Sequence, residues 1–113
     1  QDGTALPLRA RRCDTFLCRL RGLTFRRSLA DNEGLLFVES VESRVATSIH
    51  MFFVFFSIGV VWMAADGTVV DAKLAQPFRP YYAPRASAKY YLEGTPALLS
   101  WVQIGERLTI AAE

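Results

Sequence analysis

Residues 49–65, IHMFFVFFSIGVVWMAA, form one nearly unbroken apolar run of 17 residues, and where it goes decides the fold. A helix crossing a bilayer needs about 20 apolar residues, so this run sits at the lower limit. Three features direct it into a sheet instead. Its content of Phe, Val, Ile and Trp suits a pleated, buried surface. Ser57 and Gly59 interrupt it midway, which marks a bend or bulge between two strand segments. Asp66-Gly67 follows as a two-residue hairpin signal, with Thr68 to Leu74 as the partner strand. The run is therefore expected at the buried centre of a sheet, with Phe52, Phe53, Phe55, Val60, Val61 and Trp62 mostly buried between layers.

The remaining elements are read around that centre. The 113 residues suit a single domain spanning 1–113. A 51% apolar and 21% charged composition excludes a disordered chain. Residues 4–12 read as a short edge strand. Asp14 and Thr15 can cap a helix whose apolar stripe is Phe16, Leu17, Leu20 and Leu23, closing near Gly22 and Arg26-Arg27. Residues 28–34 read as a polar turn, 35–38 as a buried strand and 39–48 as a polar loop with an exposed strand edge. Residues 76–87 form a loop with an aromatic wall, and 89–93 return to strand. Thr95 and Pro96 start a helical turn through Trp101, and Gly105-Glu106 turns into a last strand, 107–111. The expected fold is mostly β: a small antiparallel barrel or two-layer sheet, closed on one side by one N-terminal helix.

Charge is uneven despite a net of only +2. Residues 1–27 hold seven arginines against Asp2 and Asp14, whereas residues 28–113 hold six basic and nine acidic groups. Such an excess attracts anions, but it also suits a solvated surface pairing with the acidic remainder, so nucleic acid is the less favoured partner. Cys13 and Cys18 are too few and too oddly spaced for a disulfide framework; a bridge between them is geometrically possible but not suggested, and both read as small buried hydrophobes. Residues 1–12 lack the apolar stretch of a signal peptide, which leaves the compartment open with cytoplasm as default. One histidine and two cysteines offer no zinc-type spacing, and no motif calls for a cofactor.

Several dispersed motifs fall in a familiar order. Arg19-Leu20-Arg21-Gly22-Leu23, Arg27-Ser28-Leu29 and Gly34-Leu35-Leu36-Phe37 open the series. Ser48-Ile49-His50-Met51-Phe52-Phe53, Val60-Val61-Trp62, Asp66-Gly67 and Val69-Val70 continue it, and Tyr91-Leu92-Glu93 and Ile104-Gly105-Glu106-Arg107-Leu108 close it. From about Arg11 to Ile110 the chain resembles domain-of-unknown-function family 192. The resemblance implies a small β-rich prokaryotic domain, and it supplies no catalytic residues to carry over. Where family members often have Pro-Ile-Asp, this chain has Ser57, Ile58 and Gly59, so acid chemistry at 59 is not expected. Glu106 stands where an Asp is common.

The candidate site residues are His50, Arg44, Glu39, Phe78, Arg79 and Tyr82. His50, the sole histidine, starts the apolar run, where an imidazole can shuttle a proton or simply fix the strand through a hydrogen bond. Arg44, with Glu39 and Glu42, suits a polar rim beside it, or ordinary surface ion pairs. Phe78, Arg79, Tyr81 and Tyr82 combine rings with a cation, as in a ligand wall or a strand-binding surface, and equally suit a loop packing its rings over a sheet end. Ser48 near His50 lacks a third orienting group for nucleophilic catalysis. The leading expectation is a non-catalytic binding module for a small molecule or a protein partner. An enzyme using His50 as acid or base, and an anion or nucleic-acid binder using the N-terminal arginines, are the alternatives.

Overall fold

The structure, a computed structural model, describes residues 9–13, 33–44, 47–49, 51, 54–79 and 81–108. Five strands, β1 (Arg9–Cys13), β2 (Glu33–Ser43), β3 (Ile58–Met63), β4 (Val69–Ala75) and β5 (Ala88–Gly94), form one sheet in the order β1-β2-β5-β3-β4. β1 runs parallel to β2, and the other three pairings are antiparallel. The mostly antiparallel β class is as expected, in its layered rather than its barrel form. The expected N-terminal helix lies outside the described residues. Among the described residues, no helix is long and apolar enough to cross a membrane.

β3 is buried along its whole length because β5 and β4 flank it and both its faces are covered. Pairing sets up two apolar layers. On one face, Phe37, Tyr91 and Trp62 lie side by side across β2, β5 and β3, with the Phe37 and Tyr91 rings stacked at 4.5 Å. Ile49, Met51 and Val54 pack onto this face, and Trp62 Nε1 donates to Thr47 O at 2.7 Å. On the other face, Leu36, Val61, Met63, Val69 and Leu92 meet Leu98 and Val102. Burying an apolar side chain in either layer contributes about 1.5–3 kcal/mol.

Four local readings need correction. Residues 39–43 continue β2 rather than forming a loop: they lie past a bulge after Val38, and Ser43 pairs with Ala88. The first half of the apolar run is not a strand segment. Among its described residues, Ile49, Met51 and Val54 pack on the Trp62 face with one antiparallel bridge, Ile49 to Tyr82, and strand begins at Ile58. Phe55, expected in the core, is 48% exposed, because the chain crossing that face turns its ring outward. Glu33 and Gly34, read as turn, begin β2.

The β3–β4 connection closes through Gly67 N–H donating to Ala64 O and Ala64 N–H to Thr68 O, each at 2.9 Å. That makes a three-residue loop, one longer than the expected two-residue form, with Gly67 at φ +92°. A side chain there would also run into Leu108 O. Thr68, through its N–H at 2.9 Å and its side chain, holds the Asp66 carboxyl below its usual pKa range. β4 bulges where Val70 and Asp71 together face Trp62. After β5, Thr95 precedes a 3-10 helix, Pro96–Ser100, with Pro in its first turn, as the sequence predicts. It packs so closely on Gly59 that an added Cβ would lie 2.9 Å from Thr95 O, which explains why this chain has room for no carboxylate there. Arg107 bridges Thr68 singly, and no longer strand forms through Leu108.

Candidate functional site

Residues 76–87 leave the end of β4 and return to β5 across the Trp62 face, beside residues 47–51. Backbone bonds stitch the two segments together. Ile49 N donates to Tyr82 O and Tyr82 N to Ile49 O, while Met51 N reaches Arg79 O and Phe78 N reaches Met51 O, all at 2.8–2.9 Å. Side chains add further anchors. Arg44 Nε donates to Pro84 O at 2.9 Å, Lys73 Nζ to Ala83 O at 2.5 Å and Gln76 N to the Tyr82 hydroxyl at 3.0 Å. Ser48 Oγ shares a hydrogen bond of 2.8 Å with the Tyr81 hydroxyl.

The main polar anchor is Asp71, 2% exposed on the edge strand β4. Its Oδ1 accepts from Ala72 N at 2.8 Å and its Oδ2 from Arg85 N at 2.9 Å. Lys73 Nζ and Arg85 Nε each stand 3.5 Å from its oxygens. One buried carboxylate thus answers two cations, both of which reach solvent. Lys73 also lies 5.9 Å above the Trp62 ring.

With the backbone fixed from beneath, the loop turns rings outward. Phe78 sits at φ +62°, a conformation bulky side chains rarely adopt and which costs about 1–3 kcal/mol. Its ring is 49% exposed and tilts at 58° against Phe55, with centroids 5.6 Å apart. Tyr81 is 61% exposed and held by its hydroxyl. Arg79 is exposed between them along the chain.

The structure sorts the sequence candidates by role. Phe78 and Arg79 belong to this outward strip. Tyr82 is half-buried, packs on the core and anchors the loop, as Arg44 does. Glu39 is half-buried on β2. Its expected companion Glu42 instead accepts from Ala65 N at 2.7 Å, tying β2 to the hairpin. His50 lies outside the described residues, although its neighbours Ile49 and Met51 are both buried and bonded to the loop. Sequence reasoning passed over Asp71, Lys73, Arg85 and Phe55. The run of cations at 73, 79, 85 and 89 with a single acid, Asp71, among them is the sequence signal for the basic residues.

A further ionisable group lies under the same face. Glu93, on β5 between Leu35 of β2 and Val60 of β3, is 6% exposed. Burial pushes its carboxyl up from an ordinary 4.5 to about 8, so it is held protonated at neutral pH. Among the described residues, none donates a hydrogen bond to it.

Comparison with known proteins settles kinship. A family model described as DUF192, Uncharacterized ACR, matches residues 1–110. The chain belongs to the DUF192 family. UPF0127 protein TK1120 of Thermococcus kodakarensis is 38% identical over 104 residues, covering 92% of this chain and 64% of the relative. UPF0127 protein PF1050 of Pyrococcus furiosus is 32% identical, covering 94% of this chain and 90% of the relative. The chain thus spans less than two-thirds of TK1120 but most of PF1050. Two solved structures share the fold. A Sinorhizobium meliloti protein, provisionally assigned as a transcription regulator, superposes with TM-score 0.80 at 23% identity, covering 88% of this chain and 79% of that one. A Novosphingobium aromaticivorans protein of unknown function gives 0.76 at 20% identity, covering 88% and 73%. This DUF192 domain therefore shares its sheet with proteins whose likeness to it extends to fold alone.

Proposed function

We propose that this DUF192 domain is a non-catalytic binding module for a small molecule or a protein partner, and that its contact surface is the strip of Phe55, Phe78, Arg79 and Tyr81. The observation that carries the reading is Phe78, kept at positive φ with its ring half in water although a core lies directly beneath. Strained backbone persists where the surroundings over-determine it, and such positions cluster at ligand contacts. The polar side chains around the strip support the same reading. Arg44, Lys73 and the Tyr82 hydroxyl all hold loop backbone, so the platform is stiff before any partner arrives.

Protein-observed NMR against a fragment library tests this. Shift changes should concentrate on the amides of Phe55, Phe78, Arg79 and Tyr81, and Phe78→Ala should abolish them while leaving the remaining spectrum in place. Fragments that gather elsewhere, or that ignore the Phe78 replacement, refute the reading.

A further inference from the structure

We propose that the strip receives an extended, acidic segment of a partner protein, with apolar side chains against Phe55 and Phe78 and carboxylates at Arg79, Arg85 and Lys73. This rests on the binding reading above and adds the partner's chemistry.

Charge is the first argument. From residue 67 to residue 92 the chain carries Lys73, Arg79, Arg85 and Lys89 against Asp71 alone. Asp71 is buried, and both its oxygens already accept backbone N–H groups. It therefore balances at most one of the two cations beside it. Among the described residues, no other carboxylate lies within ion-pair distance of Lys73, Arg79 or Arg85. Arg85, 64% exposed, keeps the planar fork that pairs best with a carboxylate.

Spacing is the second argument. Arg85 is fastened to Asp71, whereas Phe78 follows just after Ala75, the last residue of β4. Four residues of strand separate Asp71 from Ala75, which is about 13 Å. The cations held at Asp71 and the ring of Phe78 thus lie at different points along β4 and the loop that follows it, with Arg79 beside the rings, so an extended peptide suits the strip.

Fluorescence anisotropy with the full chain and labelled peptides tests the proposal. The probe is an extended peptide with Leu-Phe at one end and an Asp-Glu run about four residues away. Its counterpart carries lysines in place of the acids. The acidic peptide should bind about tenfold more tightly than the lysine peptide and weaken as salt rises. Arg79→Glu should cost about tenfold, as should Phe55→Ala combined with Phe78→Ala. Arg85→Gln, which keeps the backbone bond to Asp71, should cost several-fold and serves where a charge reversal impairs folding. Equal binding of the two peptides overturns the proposal. So does tighter binding of oligo-dT or of phosphatidylglycerol vesicles than of the acidic peptide. Fragments that bind the strip while acidic peptides show no preference would refute the partner's chemistry and leave the binding reading intact. If nothing contacts the strip, both fall.

Discussion

Replacing Glu93 with glutamine should stabilise the protein increasingly as pH rises above the ordinary carboxylate range. In the folded chain the carboxyl lies under the core face, raised by burial from 4.5 to about 8. Between those values the native state keeps a proton that the unfolded chain has released. Stability is therefore fully present below the unfolded pKa, falls as pH rises through this window and levels off above about pH 8. Integrating that linkage gives a loss of about 2–3 kcal/mol from pH 5 to pH 7, reaching about 4 kcal/mol by pH 9. A domain of this size has about 5–15 kcal/mol in total, so the effect is a large share of it. Glutamine does not titrate, and whatever its amide costs is the same at every pH. Urea denaturation of both proteins at pH 5, 7 and 9 isolates the trend, since other titrating groups cancel in the difference. Stabilities that stay parallel within about 1 kcal/mol across that range would show that Glu93 is ionised and partnered in the fold, and the argument from burial would be refuted.

Asp71→Ala should cost about 2–3 kcal/mol by removing charged hydrogen bonds to Ala72 and Arg85. Because it also uncaps an amide of an edge strand, size-exclusion chromatography should show self-association that the parent lacks. Gly67→Ala should cost more than 1 kcal/mol, since a side chain at φ +92° also meets Leu108 O, whereas Gly105→Ala, at φ +95° with open space around it, should cost only about 1 kcal/mol. Thermal or urea unfolding ranks the two directly, and equal losses would contradict the packing of 105–108 against the hairpin.

What the sequence disclosed follows where the information is local. Asp66-Gly67, Thr95-Pro96 and the runs at 35–38 and 89–93 carry their own turn or strand signals, and each falls in the element expected. Residues 39–43 are polar because they lie beyond the core, and their strand state comes from β5, a partner some fifty residues away along the chain. Ile49, Met51 and Val54 have the composition of a strand, but their partner is the 78–82 loop rather than a strand of the sheet, so they cover the sheet instead of joining it. Phe55 misleads for the same reason: apolarity registers in the sequence, but the direction its ring points does not. The strip was half legible. The rings of 78–82 drew notice, but the value of Lys73 and Arg85 depends on Asp71, whose burial arises only when residues 83–85 fold over β4.

The strand order also bears on how the chain reaches its structure. Among the described strands, the middle one, β5, comes last in the chain, and β2 and β3 are joined as strands through it. Before residue 94 is available, the sheet is in two parts that lack a shared strand, β1 with β2 and β3 with β4. Each then shows an open flank and the apolar side chains of both faces. Joining them requires closing the loop from β2 to β5 around the whole β3–β4 hairpin, a non-local step that slows folding. The last strand therefore sets the moment of consolidation. Until it arrives, a ribosome-bound chain is at its most open to chaperones, proteases and other copies of itself.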